Sequence, residues 1–161
     1  MDRPRILIVE DEPALVEAYK RVLLEAGYDV WSTPTGEEAL TLFAQFDPHL
    51  VLLDLGLPVK DGRDTLIWLG EVNPLLPVII ITGRSHQREL AKKLGADAIM
   101  EKPLDVPCLL QTIRELLNEP PEGRARRASG FRCVPCDHDL FLKSLHERLT
   151  APYIFSGSND R

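Results

Sequence analysis

Five polar residues, far apart in the sequence, each stand at or just after the end of a short apolar run. They are Glu10, Asp11, Asp54, Thr82 and Lys102. Carboxylates brought together repel one another unless a cation joins them, and hard oxygen ligands suit Mg²⁺. A carboxylate beside Mg²⁺ can act as a nucleophile toward a phosphoryl group. The Lys102 charge and the Thr82 hydroxyl would then stabilise the transferring group, because this chemistry depends mostly on positioning and electrostatics.

The elements that must position these residues are visible as apolar patterns over the first 118 residues. Five strands are predicted, at Ile6–Val9, Asp29–Ser32, Leu50–Asp54, Val78–Thr82 and Ala98–Met100. Most of them are continuous apolar runs rather than alternating ones, which is typical of parallel strands buried on both faces.

Helical patterns lie between and after these strands. The first contains Pro13 in its first turn and stops at Gly27, and the second opens with a capping box at residues 35–38. The other three are predicted at about 63–71, 85–95 and 105–118. Strands and helices that alternate with short links imply a parallel sheet covered on both faces. Because the ligand site of such a fold lies at the carboxyl ends of the strands, the five polar residues are expected to meet there.

The composition restricts the class of protein. Of 161 residues, 44% are apolar and 27% charged, which is normal for a globular chain. No apolar run approaches the ~20 residues of a membrane span, and the run at Ile6–Val9 is too short for a signal-peptide core. Three cysteines suit a reducing compartment better than a disulfide framework. We therefore expect a cytoplasmic protein that does not contact the membrane.

The ordered motifs also resemble a known family. Glu10-Asp11, Asp54, Thr82-Gly83 and Lys102-Pro103 are similar to the receiver domain of two-component response regulators, the CheY-like family. The stretch at residues 54–62 and Gly95-Ala96-Asp97 are similar to family motifs as well. The resemblance covers residues 3–118. It implies an α/β fold, a (βα)5 flavodoxin-like doubly wound parallel sheet with strand order 2-1-3-4-5.

The resemblance further implies a role for each residue of the set. Asp54 would accept a phosphoryl group from a sensor histidine kinase or phosphotransfer protein. Glu10, through water, Asp11, Asp54 and the backbone carbonyl of Gly56 would hold Mg²⁺. Lys102 would pair with the phosphoryl group, and Thr82 would move onto it after transfer. The expected function is a response regulator that signals by protein–protein contact to an unidentified output protein.

One departure from the family pattern and two residues near the acceptor affect the expected signal. The family usually has an aromatic residue three positions before the lysine, whereas this chain has Ile99. We therefore expect the loop at Gly83–Arg88 to carry most of the change, with the face from the fourth to the fifth predicted helix as the output or homodimer surface. In the family, the residues at the positions of Gly56 and Arg84 line the path of the attacking water. Gly56 has no side chain to position that water, and the long Arg84 side chain would cover the phosphoryl group, so we predict slow self-dephosphorylation.

The last 43 residues differ from the rest. Residues 1–118 carry 12 Lys/Arg and 19 Asp/Glu, whereas 119–161 carry 7 and 6. We predict a linker at 119–131 and a short extension at 132–161 with one helix, Asp139–Leu149, too little for a helical DNA-binding output domain. The acidic body does not suggest nucleic-acid binding either. Cys133 and Cys136 form a CxxC motif for which zinc, a redox pair and plain thiols all stay open, plain thiols being favoured.

Two alternative functions compete with the switch. A phosphatase of the haloacid-dehalogenase type also uses a strand-end aspartate and Mg²⁺, but it needs a second Asp two residues on, where this chain has Gly56. A receiver fold kept only as an interaction module would not need phosphorylation. The complete acidic, Thr and Lys set argues against that alternative.

Overall fold

A parallel β-sheet forms the centre of the fold. The computed structural model describes residues 2–58, 62–83, 90, 93–120, 122–125 and 134–135. The five longer strands are β1 (Arg5–Val9), β2 (Asp29–Thr33), β3 (Leu50–Asp54), β4 (Val78–Thr82) and β5 (Ala98–Glu101). Each pairs in parallel with its neighbours in the order β2-β1-β3-β4-β5. The predicted strand order and the α/β class are therefore confirmed.

Four helices cover the two faces of the sheet. They are α1 (Pro13–Glu25), α2 (Gly36–Phe46), α3 (Gly62–Val72) and α4 (Val106–Asn118). The two helices predicted at about 63–71 and 105–118 agree with α3 and α4 to within one residue at each end. Most of the helix predicted at 85–95 lies outside the described residues, although Leu90 and Lys93 are helical.

The sheet separates two apolar clusters, and successive residues of one strand enter opposite clusters. On β3, Val51 packs in the cluster that contains residues of α2 and α3, whereas Leu52 packs in the cluster that contains residues of α1 and α4. Both side chains are fully buried. This arrangement explains why the central strands are continuous apolar runs: a strand with helices on both faces has no side for polar residues.

The start of α2 differs in one detail from the predicted capping box. The Thr35 hydroxyl oxygen accepts a hydrogen bond from the Glu38 amide at 3.2 Å, as the motif requires. The Glu38 carboxylate, however, does not return to the Thr35 amide. It accepts from the Thr33 hydroxyl at 2.6 Å, while the Thr35 amide donates to the same Thr33 oxygen at 3.3 Å. The reciprocal half of the capping box was therefore wrong, because the last residue of β2 stands between the two groups.

The chain beyond α4 contains structure that the sequence did not predict. Residues 122–125 form a helical turn within the predicted linker. A sixth strand, β6 (Val134–Pro135), pairs in parallel with β5 and extends the sheet. The helix predicted at Asp139–Leu149 and the two CxxC cysteines lie outside the described residues. In the parts of the chain described here, no helix combines the length and the apolar character needed to cross a membrane.

Gly62 starts α3 at a point where the backbone passes very close to the end of β3. A Cβ atom at this position would overlap the carbonyl oxygen of Asp54 and would lie 2.7 Å from the Leu55 Cα. Both obstacles are backbone atoms, which cannot turn aside as a side chain can. Gly70, in the same helix, is exposed and has nothing within 4 Å of its virtual Cβ.

We predict opposite effects of alanine at these two glycines. Gly62→Ala should lower the free energy of unfolding by about 3 kcal/mol, since the overlap forces the backbone to move. Gly70→Ala should raise it by about 0.5 kcal/mol, because alanine favours the helix over the unfolded chain. Urea unfolding monitored by circular dichroism measures both. Equal stabilities for the two variants would contradict the packing described for Gly62.

Candidate phosphoryl-acceptor site

The carboxyl ends of three strands bring the predicted polar residues to one edge of the sheet. Glu10 directly follows β1, Asp54 ends β3 and Lys102 directly follows β5. Backbone hydrogen bonds continue the sheet past the ends of β1 and β5. The Glu10 amide donates to the Thr33 oxygen at 3.1 Å, and the Lys102 amide donates to the Thr82 oxygen at 2.9 Å. Since β4 lies between β3 and β5, the Lys102 side chain must pass the end of β4 to reach Asp54.

Lys102 joins the two buried carboxylates. Its Nζ atom lies 2.8 Å from Asp54 Oδ2 and 2.8 Å from Glu10 Oε2. The exposed fraction of the side chain is 1% for Glu10, 8% for Asp54 and 22% for Lys102. Burying two carboxylates is energetically costly without a cation nearby. The Lys102 ammonium group offsets this cost for both.

Backbone amides fix the other oxygen of each carboxylate. The Gly56 amide donates to Asp54 Oδ1 at 2.7 Å, and the Glu12 amide donates to Glu10 Oε1 at 3.2 Å. Each carboxylate is therefore held between a backbone donor and Lys102, which restricts its rotation. A Cβ atom at Gly56 would lie 3.2 Å from Asp54 Oδ1, so any side chain at this position would stand beside the Asp54 carboxylate.

The acidic residues of the site can serve as ligands of a metal ion. Glu10, Asp11 and Asp54 each offer one carboxylate oxygen, and these oxygens lie within 4.8 Å of one another. Glu10 Oε2 is buried and, apart from its ion pair with Lys102, has no hydrogen-bond partner among the described residues. Three carboxylates against one ammonium leave an excess of negative charge. This donor set fits a hard divalent cation such as Mg²⁺.

The pKa values at the site follow from burial and from these contacts. Burial raises the pKa of Glu10, and the nearby Asp54 charge adds to the effect, while Lys102 opposes it. Burial alone would lower the pKa of Lys102, but its contacts with Asp54 and Glu10 outweigh burial and raise that pKa to about 12. Lys102 is therefore a fixed positive charge at neutral pH.

The remaining predicted residues lie at the same edge. Thr82 ends β4 and is buried, one residue beyond the β4 position that pairs with Asp54. Asp11 is exposed at the mouth of the site. Ile99 packs inside β5 with 2% of its surface exposed. Arg84 lies outside the described residues.

One residue near the site was not singled out from the sequence. Tyr19 of α1 is 93% buried, and burial raises its pKa, with further contributions from Lys102, Glu10 and Asp54. The phenol therefore lies within electrostatic reach of the charged group. The helical pattern of α1 identifies Tyr19 as a core residue, but it carries no signal that relates this residue to the site.

Comparison with known proteins agrees with this geometry. The family model of the response regulator receiver domain matches residues 6–114. The chain belongs to this family. It is 30% identical over 118 residues to the polar-differentiation response regulator DivK of Brucella ovis, with 71% of this chain and 96% of DivK covered. It is 35% identical over 129 residues to response regulator MprA of Mycolicibacterium vanbaalenii, with 78% of this chain but only 56% of MprA covered. The chain thus spans about half the length of MprA and nearly all of DivK.

Solved receiver domains have the same fold. A CheY-like receiver domain from Methanospirillum hungatei is 31% identical, with a TM-score of 0.69 over 73% of this chain and 95% of that one. The response regulator TrrA of Thermotoga maritima, solved in complex with Mg²⁺-BeF, is 32% identical, with a TM-score of 0.66 over 70% and 98%. The sheet, the helices that cover it and the acidic edge therefore belong to the receiver domain of this chain.

We predict that removing the Lys102 charge destabilises the receiver domain. In EDTA at pH 8, Lys102→Met should lower the free energy of unfolding by about 2 kcal/mol, because Glu10 and Asp54 are left buried without their cation. Lys93→Met, at an exposed lysine, should change it by less than about 0.5 kcal/mol. Urea unfolding of both variants measures the difference, and equal destabilisation would contradict a structural role for the Lys102 ion pairs.

Proposed function

We propose that this chain accepts a phosphoryl group on Asp54 from the phosphohistidine of a sensor histidine kinase or phosphotransfer protein. The phosphorylated state would then pass to an output protein through protein–protein contact. One observation carries the proposal: in a receiver domain, Lys102 Nζ lies 2.8 Å from both Asp54 Oδ2 and Glu10 Oε2 at the carboxyl edge of the sheet. A nucleophilic carboxylate, a fixed positive charge and further acidic ligands meet there.

The residues of this chain supply positioning and charge for the transfer. A carboxylate oxygen of Asp54 forms a bond to phosphorus while the phosphorus–nitrogen bond of the donor histidine breaks, and the imidazole leaves with the electron pair. The Gly56 amide holds Asp54 Oδ1, so the carboxylate is presented in one orientation. Lys102 offsets the negative charge that the phosphoryl oxygens bring to the buried edge. Thr82 supplies a hydroxyl to one of these oxygens.

The acidic residues would hold the metal ion of the reaction. Glu10, Asp11 and Asp54, with the Gly56 carbonyl, are the proposed ligands of Mg²⁺, with Glu10 acting through water. When bound, the ion supplies positive charge against the phosphoryl oxygens. The excess of carboxylates over ammonium groups supports this assignment.

The residue two positions beyond Asp54, Gly56, supports a switch rather than an enzyme that turns over phosphate esters. Gly56 has no side chain, so no second carboxylate stands two residues beyond Asp54 to protonate a leaving group. The acceptor should therefore hold its phosphoryl group as a signal. Ile99 is packed in the core of the sheet, so the loop at Gly83–Arg88 is the proposed carrier of the change. Residues 84–88 of this loop lie outside the described residues.

We predict that acetyl phosphate with Mg²⁺ adds one phosphoryl group to this protein at Asp54. Asp54→Asn should abolish the mass increase seen by intact-mass spectrometry, since the amide is not a nucleophile. Asp64→Asn, at an exposed carboxylate of α3, should leave the increase intact. An equal mass gain in wild type and Asp54→Asn would contradict the assignment of Asp54 as the phosphoryl acceptor.

The same assay tests the proposed metal ligands. EDTA should stop labelling. Glu10→Gln should slow it by about tenfold, in the range found when groups around a metal are removed. Glu12→Gln is the matched control, because Glu12 is exposed and contacts Glu10 only through its backbone amide. Labelling that is insensitive to EDTA would contradict the Mg²⁺ site but leave Asp54 as acceptor.

We also predict that the phosphorylated protein is long-lived, with a half-life of minutes or more. Gly56 has no polar side chain beside Asp54 to position an attacking water. Gly56→Asn should shorten the half-life severalfold, whereas Gly56→Ala, which adds only the Cβ atom near Asp54 Oδ1, should not. Loss of the phosphoryl mass with time measures the rate. A half-life of seconds in wild type would show this reasoning to be wrong.

A further inference from the structure

The chain beyond the receiver helices returns to the sheet. β6 lies parallel to β5, with Val134 in register with Ala98 and Pro135 in register with Ile99. Without this strand, β5 would be the outer strand on its side of the sheet. An outer strand presents a row of unpaired backbone N–H and C=O groups, which are a template for pairing with another extended segment. The extension therefore covers groups that would otherwise be open to other chains.

The path to β6 repeats the connection used throughout the fold. α4 follows β5 and packs through Leu109, Ile113 and Leu116 into the same apolar cluster as Ala98. Beyond α4, Arg124 Nη2 donates to the Leu117 oxygen at 2.8 Å, which holds the helical turn against the end of α4. β6 then begins beside Ala98, the first residue of β5. Strand, helix and parallel strand form one more crossover unit of the kind that builds the rest of the sheet.

The direction of the backbone groups agrees with this pairing and with the proline. The Lys102 amide donates to Thr82 on β4, and amides alternate in direction along a strand, so the Ile99 amide points away from β4 and toward β6. In a parallel pair, the residue opposite a bonded residue makes no bond to that neighbour. Pro135 is opposite Ile99, so its missing N–H group costs no hydrogen bond.

We propose that the C-terminal extension acts as a sixth strand that protects the outer edge of β5 within the same chain. The occupant is the segment around Val134–Pro135, and it blocks the backbone groups with which an extended segment of another protein would pair. The proposal does not depend on phosphorylation of Asp54.

Disulfide trapping in the full chain tests the pairing and its register. The background carries Cys108→Ser, Cys133→Ser and Cys136→Ser, and cysteines are placed by Ala98→Cys with Val134→Cys. Directly paired residues on neighbouring strands lie about 5 Å apart, which a disulfide spans. The control is Glu101→Cys with Val134→Cys, since Glu101 lies three residues further along β5, about 10 Å away, on the other face.

With oxidised glutathione, we expect the Ala98/Val134 pair to form an intramolecular disulfide at least about tenfold faster than the control pair, because only the first meets disulfide geometry. Non-reducing electrophoresis and peptide mass spectrometry identify the product. Equal rates for the two pairs would overturn the register. Cross-linked dimers without an intramolecular product would mean that the strand comes from a second copy, and they would overturn the assignment to the same chain.

Hydrogen exchange provides a readout that needs no cysteine. Val134→Pro removes the amide of the first β6 residue, whereas Val134→Thr keeps both the amide and the β-branched side chain. The Ile99 amide should exchange about tenfold faster in Val134→Pro than in wild type or Val134→Thr, because its partner strand is lost. The Met100 amide, which points to β4, should not change. Identical Ile99 exchange in all three proteins would overturn the proposal, and unchanged Met100 exchange shows that the sheet is intact.

Discussion

The site depends on one electrostatic constraint: two buried carboxylates share a single ammonium group. Glu10 and Asp54 are nearly inaccessible to water, and Lys102 Nζ lies 2.8 Å from an oxygen of each. Burying two carboxylates at this depth is costly without the lysine, and their attraction keeps the lysine extended across the end of β4. The same arrangement stays one positive charge short of neutrality even before Asp11 is counted. An added cation, or a rearrangement of Lys102, is therefore favoured by the charges already in place.

The parallel sheet makes this constraint possible. Because all strands run the same way, their carboxyl ends meet at one edge, and residues from β1, β3 and β5 come within ion-pair distance although 48 positions separate Asp54 from Lys102. The sheet must also be rigid there. Gly62 brings the start of α3 against the Asp54 carbonyl, at a spacing that no other residue type permits, so the backbone at Asp54 is held against α3. Positioning of this kind needs backbone contacts, since side chains alone would allow the carboxylates to turn away from each other.

The sequence predicted the parts of the fold that rest on long patterns and missed those that rest on short ones. Runs such as Leu50–Asp54 fix a strand buried on both faces, and the polar residue at its end then follows from the fold class. The Glu38 contact with Thr33 was missed because a capping box describes one helix, whereas the competing hydroxyl comes from β2. β6 was missed because Val134–Pro135 is a short segment that contains a proline, and the sequence around it has no apolar run that would predict a strand. Its existence depends on the edge that β5 offers, which is a property of the assembled sheet.

β5 connects the proposed signal to the C-terminal extension. It leads directly into Lys102, contains Ile99 at the position where relatives usually carry an aromatic residue, and pairs with β6 on its outer side. A movement of Lys102 toward new negative charge would act on this strand first, because they are adjacent in the chain. A partner that used the edge of β5 would meet β6 there. By occupying this edge, the extension would compete with any partner that pairs with β5.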